Sequence, residues 1–401
     1  MNTTSFSTLI LKALKYSLLF VPHFLFFSLT RFVRKEKNLW LFGAWHGEKY
    51  SDNSKYLFEW ILQRHPEIHA VWITKNKTVF QELKEKEIPV VYARSFAGFK
   101  LLAKAAVIVE THGNIDIGGF RPYGAIVVQL YHGIGPKELK WRRTYTGLKG
   151  FMYDIICDCN RESFWMVRSE EDKLTEQSRH GLDDKHVFIT GYPRTDILLR
   201  DNSKHPVNAF LEEKFPHHKK ILYMPTLRRF GESKDPTALV ASLRAVNELL
   251  RKNNLVLLFK PHFGDMKKYA ARHFDFSNIV LATDDAYVDV YGYISCFDAL
   301  ICDYSSLMYD FLLVDKPIVL YTYDLEEYRS AEGLLPSYFS HPCGPMCSSW
   351  EDTIRSVISL TEEDSWAAKR LDCKKYFQAY TDGKNTERVF LAIERLTSSS
   401  F

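Results

Sequence analysis

Short runs of β-branched and aromatic residues alternate with amphipathic stretches along most of this chain, in two series separated by a polar stretch at residues 201–206. This alternation is typical of parallel β-sheets covered by helices on both faces. The 401 residues also exceed the usual size of one hydrophobic core. The sequence therefore predicts an α/β protein with two domains. The predicted strands are 39–44, 69–74, 88–92, 106–109, 125–130, 154–159 and 187–190 in the first series, and 220–224, 255–259, 279–282, 298–302 and 317–321 in the second.

The predicted domain boundaries follow these two series. Residues 1–36 form an apolar N-terminal segment, 37–204 the first α/β domain and 205–370 the second. Residues 371–401 are predicted to be helical, and the last helix, near 385–396, is expected to cross back onto the first domain.

The N-terminal segment contains an apolar run at residues 16–29, which is shorter than the ~20 residues that span a bilayer. Basic residues on both sides of the run suit a helix that lies against anionic lipid. We therefore expect an N-terminal membrane-associating helix and a peripheral protein at the cytoplasmic face of the cell membrane. Two alternatives stay open, namely a helix packed on the first domain and a cleaved signal peptide, although no Ala-x-Ala-like site follows the run. The flanking basic residues are Lys12, Lys15, Arg31, Arg34, Lys35 and Lys37.

Net charge and cysteine content narrow the classes of function. The formal net charge of +4 is too small for a nucleic-acid-binding stripe, so no nucleic acid partner is expected. The seven cysteines include no Cys-x-x-Cys pair, which indicates a reduced cytosolic protein without a structural metal or resident cofactor. Cys343 and Cys347 with His341 leave a metal site as the alternative.

Polar motifs directly follow predicted strands in both series. Ligands of doubly wound sheets bind outside the carboxyl ends of the strands. The motifs therefore predict a cleft between the domains, in which a donor and an acceptor are held face to face. They are His46-Gly47 and His132-Gly133 in the first domain, and Thr226–Arg228, Lys260–His262 and Asp303–Ser306 in the second.

The Asp303–Ser306 turn is predicted to bind phosphate. It places Ser305 and Ser306 where a strand turns into a helix at Leu307–Val314, so that hydroxyl and backbone N–H groups can face an anion. An ordinary helix cap is the alternative, because Asp and Ser are preferred at that position. The shared position with the other strand-end motifs favours phosphate binding.

His132 is the candidate general base. Glycines and a proline form a tight loop around it, which is expected to leave the imidazole exposed at the sheet edge. A histidine there can accept a proton near neutral pH. His46 and His112 are weaker candidates on the acceptor side, and a structural role is the alternative for all three. Lys137 is a further acceptor-side candidate, in a basic run at 137–149 that is otherwise a solvated or lipid-facing surface.

Basic residues of both domains complete the predicted phosphate site. Lys260 and His262 alternate along an extended stretch and therefore point to the same side. Arg194 and Arg228 carry planar guanidinium groups that suit phosphate oxygens. Either arginine could instead pair with a nearby carboxylate, such as Asp196.

Residues 40–328 resemble the CDP-glycerol glycerophosphotransferase family, which includes teichoic acid primases and polymerases. Tyr131–Lys137 is similar to the family motif Trp-His-Gly-Thr-Pro-Leu-Lys, and Gly191–Asp196 to Gly-x-Pro-Arg-x-Asp. Pro225–Arg228 is similar to Pro-Thr-Trp-Arg, and Cys302–Ser306 with Asp310 to Thr-Asp-Tyr-Ser-Ser with a following Asp. The match to these motifs adds Thr226 and Asp310 to the predicted donor side.

The resemblance implies a GT-B-like fold, in which two Rossmann-type domains face a central cleft. It implies His132 as the catalytic base and His262 as the second catalytic residue, and contacts of His262, Ser305 and Ser306 with the pyrophosphate of a CDP-activated polyol. The implied reaction transfers glycerol phosphate or a related polyol phosphate from CDP-glycerol to a hydroxyl group and releases CMP. The implied acceptor is a membrane lipid-linked glycan or polyol phosphate, in teichoic acid or capsule-type polymer synthesis. A Mg²⁺ ion on the pyrophosphate stays open.

Two other functions stay open beside this one. Nucleotide-sugar glycosyltransferases use the same fold, and fold alone does not decide between the two reactions. A non-catalytic membrane-bound assembly protein that retains the fold is the second alternative. Tyr131 and Leu227, which stand where the family has Trp, lie near the expected substrate pockets.

Overall fold

The first domain of the computed structural model is built on a parallel β-sheet. The structure describes residues 21–138, 163–228, 236–266, 269, 276–283, 287 and 289–400. The strands of this sheet are Glu36–Phe42 (β1), His69–Thr74 (β2), Val90–Tyr92 (β3), Ala105–Glu110 (β4), Ile126–Gln129 (β5), Phe164–Val167 (β6) and Val187–Ile189 (β7). They lie in the order β3-β2-β1-β4-β5-β6-β7, and every pair is parallel.

The second domain contains a parallel sheet of its own. Its strands are Lys219–Met224 (β8), Leu255–Phe259 (β9), Ile279–Leu281 (β10), Ala299–Cys302 (β11), Ile318–Tyr321 (β12) and Met346–Cys347 (β13). They lie in the order β10-β9-β8-β11-β12-β13. The prediction of an α/β fold with parallel sheets is confirmed.

Each sheet reverses its strand order once, between β1 and β4 in the first domain and between β8 and β11 in the second. At such a switch point the connections leave the sheet toward opposite faces, which opens a crevice at the carboxyl ends of the two strands. The loops after β1, β4, β8 and β11 therefore border the crevices, and they carry polar motifs found in the sequence.

Helices cover both sheets. In the first domain they are residues 21–30 (α1), Asp52–Arg64 (α2), Lys77–Glu85 (α3), Phe96–Lys104 (α4) and Glu170–His180 (α5). In the rest of the chain they are Pro206–Lys214 (α6), Pro236–Lys252 (α7), Leu307–Phe311 (α8), Leu325–Glu332 (α9), Pro336–Ser340 (α10), Trp350–Glu362 (α11), Ala367–Phe377 (α12) and Asn385–Ser400 (α13). Short 3₁₀ turns occupy several of the connecting loops.

The local pattern located most strands, with differences at three places. The predicted strand at 154–159 lies outside the described residues. Two short strands, β6 and β13, were not predicted; each pairs with a neighbouring strand. The helix predicted at Leu307–Val314 ends earlier, at Phe311.

The last helix, α13, packs against the first domain. Phe390 lies 5.8 Å from the ring of Trp40, 5.2 Å from that of Trp60 and 3.9 Å from that of His65. The N-terminus of α13 is held by Asp196, whose carboxylate accepts hydrogen bonds from the backbone of Asn385 at 2.9 Å and of Thr386 at 2.8 Å. The chain therefore returns to the first domain after it has completed the second.

The helix α1 packs on the first domain by one face only. The ring of Phe26 lies 5.8 Å from Phe99 and 5.5 Å from Phe120, and His23 stacks on Phe120 at 4.3 Å. Apolar side chains of the opposite face remain exposed to solvent. Within the described residues, no helix is long and apolar enough to cross a membrane.

Candidate active site

A cavity of about 480 Å³ lies between the two domains. The loops after β1, β5, β8, β9 and β11 line it, so the cavity opens at the carboxyl edges of both sheets. Of the residues predicted from the sequence, its wall contains His132, Lys137, Arg194, Thr226, Lys260, His262, Ser305 and Ser306. The other predicted residues, His46, His112, Arg228, Asp303 and Asp310, are not part of the wall.

His132 lies in the loop after β5, packed between aromatic rings. Its imidazole stacks on that of His112, with 4.2 Å between ring centroids and 10° between planes, and lies 4.1 Å from the ring of Tyr131. The ring is therefore partly buried, not exposed as the sequence predicted, because the stack covers one of its faces. Its Nδ1 atom is buried and has no hydrogen-bond partner in the described part of the chain.

Burial lowers the pKa of His132 to about 4, although Asp52 favours the charged ring. The imidazole is consequently neutral near pH 7 and has a free lone pair. A neutral histidine on the cavity wall can accept a proton from a hydroxyl group.

Gly133 allows the two domains to approach closely beside His132. Its φ is +104°, a conformation that favours glycine. A Cβ atom at this position would lie 2.6 Å from Nη2 of Arg194 and 2.8 Å from Oγ of Ser306. The loop of the first domain thus rests directly on the serine turn of the second.

His112 and His46 belong to loops that are anchored by Asp116. Its buried carboxylate accepts backbone hydrogen bonds from His46 at 2.5 Å and from Thr111 and His112 at 2.7 Å each. Burial raises the pKa of Asp116 to about 6. Since neither histidine lines the cavity, the structure favours the supporting role for both: His112 backs the ring of His132, and His46 contacts His112.

Arg194 forms ion pairs that hold the His132 loop. Its guanidinium donates to Asp52 at 2.6 Å, to Asp310 at 2.7 Å and to the carbonyl oxygen of His132 at 2.9 Å. Arg194 therefore pairs with carboxylates, which the sequence left open as the alternative to phosphate binding. Its partners are Asp52 and Asp310, and not Asp196. These contacts hold the loop that carries His132, whereas the Nε atom of Arg194 has no hydrogen-bond partner in the described part of the chain.

Asp310 joins the two domains from below the cavity. It lies on α8 in the second domain and pairs with two buried arginines of the first, Arg194 and Arg168, the latter at 3.3 Å. The Tyr291 hydroxyl also donates to it at 2.6 Å. Asp310 is fully buried and was predicted to bind the donor; its three partners instead account for its carboxylate oxygens.

A short backbone bridge joins the same loop to the second domain. Lys137 pairs with Leu334 as an antiparallel bridge, and the N–H of Leu335 donates to the carbonyl of Pro136 at 2.7 Å. The His132 loop is thus held by side chains and by main chain of the opposite domain. Its position depends on how the domains are packed together.

Arg228 and Asp303 organise the loops of the second domain. Arg228 pairs with Asp303 at 2.8 Å and with Asp324 at 2.6 Å, and its guanidinium lies 5.0 Å from the ring centroid of Tyr328. Asp303 also accepts from the hydroxyl of Thr226 at 2.6 Å. These buried pairs tie the loops after β8, β11 and β12 together, which explains why Arg228 and Asp303 do not reach the cavity.

Ser305 and Ser306 present hydroxyl groups to the cavity. The Ser305 hydroxyl accepts a bond from the N–H of Leu307 at 3.3 Å, so the helix-cap alternative describes part of its role. Ser306 precedes α8 without a side-chain capping bond. Within the described residues its hydroxyl has no recorded partner, and it is available to an anion.

Lys260 and His262 follow β9 and lie on the same wall. Lys260 is 8% exposed, and its pKa is lowered to about 8. Burial is the main cause of this shift, and the positive charge of Lys49 is the second. The Nδ1 atom of His262 accepts from the N–H of Gly264 at 3.0 Å. In the neutral ring the proton then resides on Nε2, which is a hydrogen-bond donor suited to phosphate oxygen.

Lys137 lines the cavity, with its ammonium 5.6 Å from the ring centroid of Tyr328. Arg179, on α5, also lines the cavity and donates to the carbonyl of Lys137. The remainder of the basic run, from residue 139 to 149, lies outside the described residues.

Several wall residues were not found by sequence reasoning. Lys49, Asp52 and Tyr291 line the cavity, and Asp52 belongs to the ion pairs of Arg194. Lys49, in the loop after β1, and Asp52, at the start of α2, closely follow His46-Gly47, so reading that motif further along the chain could have identified them. Tyr291 precedes its strand by eight residues and carries no local signal.

No group of three or more His, Cys, Asp or Glu side chains is placed to hold a metal ion in the part of the chain that the structure describes. Cys343, from the alternative metal site, lies against Cys373 with 2.8 Å between the sulfur atoms.

Known proteins share both the sequence pattern and the fold. A model of the family described as CDP-glycerol:poly(glycerophosphate) glycerophosphotransferase matches residues 25–395. The teichoic acid poly(glycerol phosphate) polymerase of Bacillus subtilis is 25% identical over 85% of this chain and 46% of its own length. The teichoic acid ribitol-phosphate polymerase TarL of Staphylococcus aureus is 29% identical over 90% of this chain and 64% of its own length. The chain thus spans less than two thirds of either relative.

A solved structure of the wall teichoic acid polymerase TagF superimposes with a TM-score of 0.74, at 18% identity, and covers 97% of this chain and 98% of that one. This similarity confirms the GT-B-like arrangement of two Rossmann-type domains. Because the family model matches nearly the whole length, the chain belongs to the CDP-glycerol:poly(glycerophosphate) glycerophosphotransferase family.

Proposed function

We propose that this protein transfers a polyol phosphate, glycerol phosphate in the first instance, from its CDP-activated form to a hydroxyl group of a lipid-linked acceptor. The product joins a teichoic acid or capsule-type polymer, and CMP is released. One observation carries the proposal: neutral His132 on the first domain shares a cavity with Lys260, Ser305 and Ser306 of the second. Membership of the glycerophosphotransferase family supports the choice of donor.

In the proposed reaction His132 accepts the proton of the acceptor hydroxyl. The acceptor oxygen then forms a bond to the distal phosphorus, while the bond from that phosphorus to the bridging oxygen breaks and CMP leaves. Lys260 and His262, with the hydroxyls of Ser305 and Ser306, stabilise the negative charge on the phosphates. Such transfer depends mainly on positioning and electrostatics, which two rigid walls can supply.

The surroundings of His132 suit this role. The ring of His112 and the Arg194 contact to the His132 carbonyl restrict both the side chain and its backbone. A bound diphosphate beside the ring favours the protonated form, so the pKa of His132 rises when the donor enters. The base then becomes more effective at the moment it is needed.

The polyol is part of the proposal and has a direct test. Relatives of this chain are named for glycerol phosphate and for ribitol phosphate. Purified protein is incubated with CDP-glycerol, CDP-ribitol and common UDP- and GDP-sugars, and CMP release is detected by mass spectrometry with an acceptor present. Turnover of a CDP-polyol supports the proposal. Turnover of only a nucleotide sugar would establish the glycosyltransferase alternative.

The role of His132 is tested by His132→Ala. A general base contributes about 10²–10⁴-fold to the rate, so turnover of the variant should fall by at least tenfold. A variant that still folds and loses less than about tenfold contradicts the assignment.

Peripheral attachment to the cytoplasmic face of a membrane is the second part of the proposal. The outer face of α1 exposes Val21, Leu25 and Leu29, which are 53%, 53% and 66% exposed and recur every fourth residue. Phe32, just beyond the helix, is 87% exposed. Side chains at this spacing share one face of a helix, and the opposite face packs on the domain. A row of exposed apolar side chains next to basic residues suits insertion into an anionic lipid surface.

The test of attachment keeps α1 in place, because its inner face contributes to packing of the first domain. The double variant Leu25→Glu with Leu29→Glu is compared with wild type in flotation with vesicles that contain anionic lipid. The control carries Leu174→Glu and Leu371→Glu, at leucines that are similarly exposed elsewhere. Reduced flotation of the first variant alone supports attachment through α1. Equal flotation of all three proteins refutes it.

A further inference from the structure

The loop after β1 adopts a strained backbone before it reaches the cavity. Trp45, His46 and Asp52 have φ values of +50°, +60° and +68°, in the left-handed region that non-glycine residues rarely occupy. Such conformations each cost of order 1–3 kcal/mol and persist where the surrounding structure holds them, often at functional sites. Here Asp116 holds the loop through the N–H of His46.

This strained loop delivers Lys49 to the cavity wall. The ammonium of Lys49 lies 4.7 Å from the ring centroid of Trp45, a distance typical of a cation–π contact. The Trp45 ring in turn lies 6.3 Å from that of His132. Lys49 is therefore on the same side of the cavity as the proposed base.

A second lysine, Lys260, faces the same space from the other domain. Burial lowers the pKa of each lysine to about 8, and for Lys260 the charge of Lys49 is the next cause. The charge of Lys49 thus disfavours the charged form of Lys260, which lines the same cavity. An anion placed between them would offset this effect and restore the charged form of both.

Two carboxylates attract these lysines and also pair with other cations. Asp52, which attracts Lys49, lies 2.6 Å from Arg194. Asp289, which attracts Lys260, lies 2.6 Å from Lys55. Each carboxylate therefore divides its charge between a lysine of the wall and another cation.

We propose that Lys49 and Lys260 together clamp the distal phosphate of the donor, the phosphate that is transferred, with one lysine from each domain. This inference rests on the proposed function and adds a binding residue, Lys49, that the sequence motifs did not indicate. Both lysines keep their protons throughout. They stabilise the charge of the phosphoryl oxygens while the acceptor oxygen bonds to phosphorus and CMP departs.

The proposed clamp depends on the arrangement of the two domains, because each domain contributes one lysine. It therefore requires that both domains border the same cavity. In this proposal the nucleotide part of the donor binds to the second domain. The distal phosphate should therefore depend on Lys49, and CMP should not.

The experiment measures binding of CDP-glycerol, CDP-ribitol and CMP by titration calorimetry without acceptor. The proteins are wild type, Lys49→Met, Lys260→Met and Lys49→Arg, which keeps the charge. Lys75→Met is the matched control, because Lys75 packs against Gly47 in the same region and does not line the cavity. Circular dichroism verifies that each variant is folded.

A charge-assisted hydrogen bond contributes about 1.5–3 kcal/mol, so Lys49→Met should weaken binding of the CDP-polyol by at least about tenfold. It should change the affinity for CMP by less than about twofold, and Lys49→Arg should recover part of the loss. Lys75→Met should bind both ligands as wild type does.

The other outcomes overturn different parts of the reasoning. Wild-type affinity of Lys49→Met for the CDP-polyol, with weak binding by Lys260→Met, refutes the clamp and leaves the proposed function intact. Equal weakening of CMP and the CDP-polyol places Lys49 on the nucleotide side and refutes the distal assignment. Failure of wild type to bind any CDP-polyol refutes the proposed function itself, and the clamp with it.

Discussion

Asp310→Asn tests whether buried ion pairs hold the two domains at the separation that the active site requires. The carboxylate is fully buried and pairs with Arg194 at 2.7 Å and with Arg168 at 3.3 Å, and it accepts a bond from the Tyr291 hydroxyl at 2.6 Å. Asparagine keeps the shape of the side chain and removes its charge. Both guanidinium groups then remain buried with one carboxylate fewer.

The expected loss of stability follows from these contacts. Removal of one partner of a buried ion pair costs about 3–5 kcal/mol, and the lower end applies because each arginine keeps another carboxylate. For domains of this size a loss of about 3 kcal/mol lowers Tm by roughly 6–12 °C. Thermal unfolding followed by circular dichroism, at one scan rate for all variants, measures the shift.

A surface ion pair provides the control for this measurement. Asp184 pairs with Lys173 at 2.9 Å, but its side chain is 84% exposed. Exposed pairs contribute about 0–1 kcal/mol, so Asp184→Asn should hardly move Tm. A Tm of Asp310→Asn that matches the Asp184→Asn value would show that these ion pairs do not couple the domains. A fall in turnover without a fall in Tm would instead assign Asp310 a direct part in the reaction.

Two further predictions concern the cavity wall. Lys260, like Lys49, has a pKa of about 8 in the free protein, and a bound phosphate favours the charged form of each; donor affinity should therefore fall as the pH rises above ~8, by up to about tenfold per unit for each lysine. Calorimetry at pH ~7 and pH ~9.5 measures this, and equal affinities would contradict a charged Lys260 in the donor site. Gly133→Ala should lower the free energy of unfolding by about 1–3 kcal/mol more than Gly181→Ala does. Both glycines have a positive φ, but a Cβ atom at Gly133 meets Arg194 and Ser306, whereas a Cβ atom at Gly181 has no neighbour within 4 Å. Denaturant unfolding compares the two, and equal losses would show that only backbone strain matters. Transfer activity in excess EDTA tests the expectation that no resident metal is needed, and loss of activity restored by Mg²⁺ would refute it.

Local sequence patterns located most of the structural elements, because the side-chain periodicity of a strand or helix is contained within its own segment. The strands from β8 to β12 were predicted within one or two residues, since each contains a run of at least three consecutive apolar residues. The strands β6 and β13 were missed because pairing with a neighbouring strand, and not their own composition, makes them strands. Side-chain periodicity thus predicts whether a long segment is a strand or a helix. A very short strand is instead determined by pairing with the strands beside it.

The residues of the candidate site also divide into those that the sequence identified and those whose position only the structure shows. Placing motifs at the carboxyl ends of strands was enough to find His132, Lys260, Ser305 and Ser306, because parallel sheets bring those ends to one edge. It could not separate residues that line the cavity from residues that support it. That distinction requires partners that are far apart in the chain, such as Arg194 and Asp310.

The sequence by itself determined the α/β class, the two-sheet organisation and the family, because alternating apolar runs and strand-end motifs are properties of short segments. Only the tertiary structure decided what each polar side chain does. In the tertiary structure Arg228 pairs with Asp303, His112 stacks on His132, and Lys49 and Lys260 line the same cavity. The physical reason is that burial and charge pairing depend on distances between residues that are not neighbours in the chain, and tertiary packing sets those distances.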